Sequence, residues 1–292
     1  MSDPRVVLVG GGDSAAATAE AAGLRVAATL AVDDFSEDTT ATSVSEDTTV
    51  TGVSEDTTVT GVSADTVDVS AEIDAVVTVG ERALIEVGAT APAVPVLAAD
   101  DLGERANAVG PTDTAGQTEP AEPTDTAEQT PVDLSESALA ALAADEVRTV
   151  EHRLLTVGIG TERVGRVVFD AGLVTSEQAR ISEYSVYDGE RHVVTVRSDG
   201  VVVSTPLGSD GYGRAAGGPV LAPDTGLAVT AIAPFATNAN SHVLAGPVRL
   251  RVERDDRSVS LLLDDERTRH VPPGVPVVLE PAATLRLLRP EL

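Results

Sequence analysis

The chain has 292 residues, of which 47 are acidic and 20 basic, and its formal net charge is −27. This charge argues against electrostatic binding to nucleic acid or to an anionic membrane, because both require a basic face on the protein. Cysteine is absent, which excludes disulfides, thiol catalysis and cysteine-ligated zinc. No apolar run is long enough to span a bilayer, and the N-terminus lacks the charge pattern of a signal peptide, so we expect a cytoplasmic protein.

Lysine is also absent, so all 20 basic residues are arginine. An arginine-only basic set with a large carboxylate surplus is typical of proteins from extreme halophiles. At molar salt the Debye length falls to about 3 Å, which screens the repulsion between these carboxylates. The composition therefore predicts a halophilic protein and says little about its ligand.

The first part of the chain predicts alternating strands and helices. Arg5–Val9 is a candidate buried strand, followed by the turn Gly10–Gly12 and an alanine-rich helix. Further strands are predicted at 24–30, 74–79 and 94–97, with a helix after Gly80 and another at 135–146. This alternation indicates a parallel sheet covered by helices. We therefore expect an α/β domain over residues 1–146.

Two low-complexity inserts interrupt this domain, at 36–66 and 104–131. The first contains nine-residue copies of a Ser-Glu-Asp-Thr-Thr-like unit, and the second repeats Thr-Asp-Thr-Ala. Both are acidic and poor in large apolar side chains, so they cannot bury enough surface to offset backbone ordering. We expect both inserts to be disordered.

From residue 147 onward the sequence pattern favours β-strands. Candidate strands alternate with Asp-Gly turns, which supply the positive φ angles of tight hairpins; they lie at 181–187, 191–197, 201–205, 227–232, 248–253, 258–263 and 277–280. Residues 147–292 are therefore expected to form an antiparallel, β-rich domain. The predicted fold class is α+β with two domains.

Most local motifs are weak. The Gly10–Gly12 turn could bind phosphate, but it lacks the spacing of a dinucleotide fingerprint, and a plain strand-to-helix turn is favoured. Leu207–Gly211 almost forms a nucleophile elbow, but Leu207 replaces its first glycine. The four histidines are scattered and favour surface or packed positions, so neither a serine hydrolase nor a metal site is predicted; they are His152, His192, His242 and His270.

The segment 198–219 is the most informative, because a strand runs into a loop rich in glycine and serine. Small residues let a bulky ligand approach the backbone, and Tyr212 offers a flat face with a polar tip. The residues alone leave open whether this is a ligand loop or an ordinary glycine-rich loop.

This segment resembles the NAD kinase family. The family pattern is approximately Ser-Asp-Gly, a hydrophobic strand, Ser-Thr-Pro-Thr-Gly-Ser-Thr-Ala-Tyr-Ser and then Ala-Gly-Gly-Pro. The chain keeps much of it: Asp199, Gly200, Ser204, Thr205, Pro206, Gly208, Ser209, Tyr212 and Ala216–Pro219. The order of the domains is similar too, which implies an NAD kinase-like fold over essentially the whole chain.

The resemblance implies a dinucleotide site. Its NAD-facing residues would be Asp199, Gly208, Ser209, Asp210 and Tyr212, and Asp170 would hold the adenosine part. The chain departs from the family pattern in several places: Leu207, Asp210 and Gly211 replace Thr, Thr and Ala, Phe169 replaces Asn, and Phe235 replaces His.

The phosphate motif of the family, Gly-Gly-Asp-Gly, aligns with Val79–Arg82. Gly80 would then face phosphate, and Glu81 would take the place of the aspartate that helps to deprotonate the 2′-hydroxyl. The extra methylene of glutamate displaces the carboxylate by roughly 1.5 Å. Arg82 replaces a glycine and obstructs the approach of phosphate to the backbone.

The implied activity is phosphorylation of the 2′-hydroxyl of NAD by ATP or polyphosphate with Mg²⁺, in a homodimer or homotetramer. One alternative is an impaired NAD(P)-binding paralogue that acts as a sensor or regulatory subunit. Another is a kinase of a sister family that acts on lipids or sphingoid bases. In the first reading, Glu81 and Tyr212 are expected to line one cleft between the two halves.

Overall fold

The structure is a computed structural model. It describes residues 3–32, 73–90, 92–99, 136–175, 181–235, 241–254, 258–264 and 266–291. Both predicted inserts, 36–66 and 104–131, lie outside these described residues, so their predicted disorder stays a prediction.

The first part of the chain forms the predicted α/β layer. In chain order its elements are β1 (Arg5–Val9), α1 (Gly12–Ala21), β2 (Arg25–Leu30), β3 (Ala75–Thr78), α2 (Glu81–Thr90), β4 (Val96–Ala98) and α3 (Glu136–Ala143). The four strands are parallel and lie in the order β2-β1-β3-β4. β1 and β3 are apolar runs buried almost throughout, as expected of strands covered on both faces.

The remainder is β-rich. Its elements are β5 (Val147–Ile159), β6 (Glu162–Val167), β7 (Asp170–Thr175), β8 (Ser182–Asp188), β9 (Arg191–Ser198), β10 (Gly200–Ser204), α4 (Tyr212–Ala215), β11 (Leu227–Ile232), β12 (His242–Leu244), β13 (Val248–Val252), β14 (Val259–Leu263), β15 (Glu266–His270) and β16 (Pro276–Pro290). Six of these strands form a second sheet, in the order β12-β11-β10-β7-β14-β15, whose pairings are antiparallel.

The other strands join the parallel strands in a ten-stranded sheet. β16 makes this connection, because it pairs with β4 at Leu287 and Val96 and runs antiparallel to β5 from Val277 to Pro290. The buried side chains of β16 accordingly contribute to the core around α2 as well as to the core between the two sheets.

The predicted fold class is confirmed, since a parallel α/β layer precedes antiparallel, β-rich structure. The prediction of four residues for the last strand was too short, because β16 has 15 residues and its pattern is obscured by an interior proline, Pro281, and the two alanines after it. The division at residues 146 and 147 stays a prediction, and the ten-stranded sheet runs across it.

Candidate dinucleotide site

The carboxyl ends of β1 and β3 form one edge of the candidate site. From β1 the chain passes through α1 to β2 on one side, whereas β3 lies on the other side of β1. The order of the sheet therefore reverses between β1 and β3, and crevices at such switch points are the usual ligand sites of open parallel sheets. The turn Gly10–Gly12 follows β1 and the pair Gly80-Glu81 follows β3, so both predicted glycine turns lie at this point.

The two turns pack closely. All of Gly10, Gly11, Gly12 and Gly80 have positive φ, between 57° and 95°, which favours glycine. A Cβ on Gly10 would lie 2.6 Å from the carbonyl oxygen of Val79, whereas a Cβ on Gly80 would meet nothing within 4 Å. Gly10 is thus explained by contact with the chain itself, while Gly80 faces open space at the start of α2.

Glu81 and Arg82 form the exposed first turn of α2. A carboxylate is favoured at a helix N-terminus because of the partial positive charge there. The following residues turn inward: Ala83, Leu84 and Val87 are buried beneath the site edge. The exposed Glu81 carboxylate therefore lies on a helix whose opposite side is fixed in the core.

The glycine-rich loop reaches that same core through Leu207. This residue is 9% exposed and belongs to the buried cluster that contains Ala83, Leu84 and Val87 of α2. The apolar departure from the family pattern therefore has a packing role. It connects the loop to the helix that carries Glu81.

Hydrogen bonds and close packing also attach the loop to the segment 168–170, whose last residue begins β7. The Thr205 hydroxyl donates to the Val168 carbonyl at 2.7 Å, and the Thr205 N–H donates to the Phe169 carbonyl at 2.8 Å. A Cβ on Gly208 would lie 2.3–2.6 Å from Phe169 backbone atoms. Asp170 follows directly, so the structure brings Asp170, Gly208 and Ser209 into one region.

Other parts of the protein pack against the small residues of the loop. The Ser209 hydroxyl is buried, donates to the Pro206 carbonyl at 2.8 Å and accepts the Leu221 N–H at 2.8 Å. A Cβ on Gly213 would lie 2.3 Å from the Ser204 hydroxyl oxygen, since α4 lies directly on β10. At Ser209 and Gly213, backbone and side chains of the protein itself therefore fill the space beside the small residues.

Contact of Gly208 and Ser209 with a dinucleotide stays a prediction. A ligand contact by the Ser209 side chain would require one of its two hydrogen bonds to break. Tyr212 is 46% exposed and Asp210 pairs with Arg214 along the loop, so these residues form its accessible side.

Asp199 lies at the other end of β10. Asp170 is paired with Ser204 at one end of this strand, and the Asp199 carbonyl accepts the Thr175 N–H at the other. Ser204 and Asp199 are five residue steps apart along the strand, which at about 3.4 Å per step is roughly 17 Å. Within one chain, Asp170 and Asp199 can therefore reach the same molecule only if that molecule is extended.

Phe235 accompanies Asp199 at this far end. Its N–H donates to the Arg197 carbonyl at 2.9 Å, and its ring is 73% exposed with the Arg197 guanidinium 5.8 Å from its centroid. Tyr184, beneath Asp199, donates its hydroxyl proton to the Asp199 carbonyl at 3.4 Å. Burial, together with the negative charge of Asp199, raises the pKa of Tyr184, so this phenol stays protonated.

A surface cavity borders the glycine-rich loop at Pro206. It is lined by Glu151–Arg153, Pro206, Asp224–Leu227, Ala245 and Pro281. His152 is 5% exposed, and neither ring nitrogen has a hydrogen-bond partner. Burial, and then the positive charge of Arg289, lowers the pKa of His152 to about 4. His152 is therefore a packed, neutral histidine, as the sequence favoured.

The described part of the chain contains no cluster of three or more His, Cys, Asp or Glu side chains suited to a metal ion. None of its helices has the length and apolar character that crossing a bilayer requires.

Comparison with known proteins identifies the fold as that of NAD kinases. The chain superimposes on yeast NADH kinase, crystallised with NADH, with a TM-score of 0.60 and 11% identity, over 99% of this chain and 84% of the yeast one. It superimposes on the NAD kinase of Archaeoglobus fulgidus, crystallised with ATP, with a TM-score of 0.55 and 15% identity, over 96% and 92% of the two chains.

The sequence is similar to the same group of proteins. Residues 152–279 match the family model of the ATP-NAD kinase C-terminal domain. The chain is 32% identical to the NAD kinase of Thermoplasma acidophilum over 146 residues, which are 49% of this chain and 54% of that protein. It is 34% identical to the NAD kinase of Nitratidesulfovibrio vulgaris over 138 residues, 45% and 48% of the two. The matched segments thus span about half the length of these relatives.

Proposed function

We propose that this chain is an NAD kinase, which transfers a phosphoryl group from ATP or polyphosphate to the 2′-hydroxyl of NAD. The observation that carries the proposal is the match of residues 152–279 to the ATP-NAD kinase C-terminal domain. The geometry supports it, because that segment contains Asp170 and the loop at 205–212, and Leu207 packs in one cluster with the helix of Glu81.

Glu81 is the proposed general base. Its carboxylate lies at the exposed start of α2, at the switch point between β1 and β3. There it would accept the proton of the attacking 2′-hydroxyl while the phosphoryl group is transferred. Since phosphoryl transfer depends chiefly on positioning and charge neutralisation, the rigid attachment of α2 to the core is part of the same function.

Asp170, Asp199 and Tyr212 are the proposed NAD contacts, with Gly80, Gly208, Ser209 and Asp210 shaping the loops that present them. The roughly 17 Å along β10 between the Asp170 and Asp199 ends suits a dinucleotide better than a mononucleotide. Mg²⁺ would neutralise charge on the phosphates of ATP. It is commonly held by one or two carboxylates together with the phosphates themselves.

We also propose that the protein works at high salt, since its 20 basic residues are all arginine and its net charge is −27. Assembly into a homodimer or homotetramer and location in the cytoplasm are further parts of the proposal, taken from the resemblance and from the acidic composition.

The test is the formation of NADP by the purified protein in molar KCl with NAD, Mg²⁺ and either ATP or polyphosphate. Glu81→Gln removes the base at constant size and is expected to lower kcat by roughly 100-fold or more. Glu136→Gln is the matched control, because Glu136 is likewise the exposed first residue of a helix. Absence of NADP with both donors refutes the kinase. Tight NAD binding without turnover would favour the sensor reading instead.

Glu81→Asp probes the length of the side chain. It shortens the carboxylate to that of the family motif, so a base at this position should keep or increase its activity. A variant as inactive as Glu81→Gln would mean that the site is shaped for the longer carboxylate and departs from the geometry of the family motif.

A further inference from the structure

Asp264 follows β14 and is directed back into the protein. It is 8% exposed and has a φ of 45°, in the left-handed region that aspartate tolerates better than most residues. Its neighbour Leu263 pairs with Ala171 of β7, so Asp264 lies opposite the start of β7, where Asp170 is found.

The Asp264 carboxylate accepts three successive backbone N–H groups. Oδ2 accepts from Val168 at 2.8 Å, and Oδ1 accepts from Phe169 at 2.8 Å and from Asp170 at 3.0 Å. The Asp264 N–H in turn donates to the Asp170 carbonyl at 2.9 Å. Both backbone polar groups of Asp170 are therefore bonded to this one residue.

A carboxylate suits this position better than any other side chain. Three converging N–H groups create a region of partial positive charge, and ionised acceptors form stronger hydrogen bonds than neutral ones. An asparagine has one acceptor oxygen, so at least one N–H would face its NH₂ group. The charge of Asp264 is thus matched to the backbone of 168–170.

The segment held by Asp264 is also the support of the glycine-rich loop. The Val168 and Phe169 carbonyls accept the two hydrogen bonds that Thr205 donates, and Gly208 packs on the Phe169 backbone. On the other side, a Cβ on Gly88 of α2 would lie 2.6 Å from a Val168 methyl group. Three parts of the candidate site therefore share this short segment.

We propose that Asp264 is the positioning residue of the dinucleotide site, holding the 168–170 backbone so that the Asp170 side chain is presented to the adenosine end of NAD. This inference rests on the proposed function. Asp264 itself does not touch the substrate, and its effect on NAD binding is exerted through Asp170.

The experiment is a double-mutant cycle with Asp264→Asn and Asp170→Asn, read by calorimetric binding of NAD in molar KCl and by the KM for NAD. Asp264→Asn is expected to weaken NAD binding by roughly 10- to 100-fold, because small displacements of a positioned group have effects of this size. In the Asp170→Asn background the same change should have little further effect. Asp145→Asn is the matched control, since Asp145 is also an aspartate with positive φ, at 60°, but exposed and remote from this segment.

Losses that simply add in the double variant would overturn the positioning role, as would wild-type affinity in Asp264→Asn. Circular dichroism shows whether each variant folds. If Asp264→Asn does not fold, Asp264→Glu keeps the charge and takes its place in the cycle. A wild-type protein that neither binds nor phosphorylates NAD would instead refute the proposed function, and this inference with it.

Discussion

His152 makes the stability of this protein sensitive to acid in a way that can be measured. The imidazole is 5% exposed, neither nitrogen has a hydrogen-bond partner, and Arg289 lies near enough to disfavour a second positive charge. Protonation of the folded state is therefore costly. His152→Leu removes the titrating group and replaces it with an apolar side chain that suits a buried position.

The magnitude follows from the pKa, which is lowered from 6.5 in a free side chain to about 4 in the folded protein. Between these values the unfolded chain binds a proton that the folded protein does not, so the free energy of unfolding decreases as the pH falls. The difference in pKa corresponds to about 3 kcal/mol. The effect begins below about pH 6.5 and is complete once the pH is below the folded value.

The assay is urea denaturation in molar KCl at neutral pH and at about pH 4.5. The wild type should lose about 2–3 kcal/mol more than His152→Leu over this interval, because protonation of carboxylates affects both proteins equally and cancels. His270→Gln, at an exposed histidine, is the control and should follow the wild type. Equal losses in the wild type and in His152→Leu would show that the buried imidazole is solvated or paired, and the reasoning would fail.

Two further predictions concern the glycine-rich loop. Gly208→Ala should destabilise the protein by about 3 kcal/mol, since the added Cβ would meet backbone atoms that cannot move aside. Gly211→Ala is the control and should have a small effect, because its Cβ would lie 3.4 Å from its nearest neighbour. Thermal denaturation of the two variants compares these effects. Ser209→Ala should cost about 1–3 kcal/mol by leaving the buried Leu221 N–H without its acceptor, and a Tm equal to that of the wild type would contradict this assignment.

Much of the fold could be predicted because local patterns agree with it. Arg5–Val9 is a strand as predicted, and the helix predicted at 135–146 spans Glu136–Ala143. β16 could not be predicted in full, because Pro281 and the alanines after it break the alternation, and the strand is defined by its partners β5 and β13. Pairing between distant segments leaves little trace in local sequence.

The candidate site shows the same limit. The resemblance predicted a site at the loop 205–212 and at the turn of Gly80; Leu207 of this loop packs in one cluster with α2, and Gly80 directly precedes that helix. The sequence did not indicate a role for Asp264. An aspartate between two strands predicts only a turn, and no sequence pattern reveals that its carboxylate accepts hydrogen bonds from three backbone N–H groups. Nor could spacing show that Asp170 and Asp199 lie at opposite ends of β10.

The long pairing of β16 has a consequence for biosynthesis. β4, β5 and β13 all precede this strand in the chain, yet each leaves an edge for β16 to occupy. Until the ribosome has released β16, those edges stay open and can recruit strands from neighbouring nascent chains.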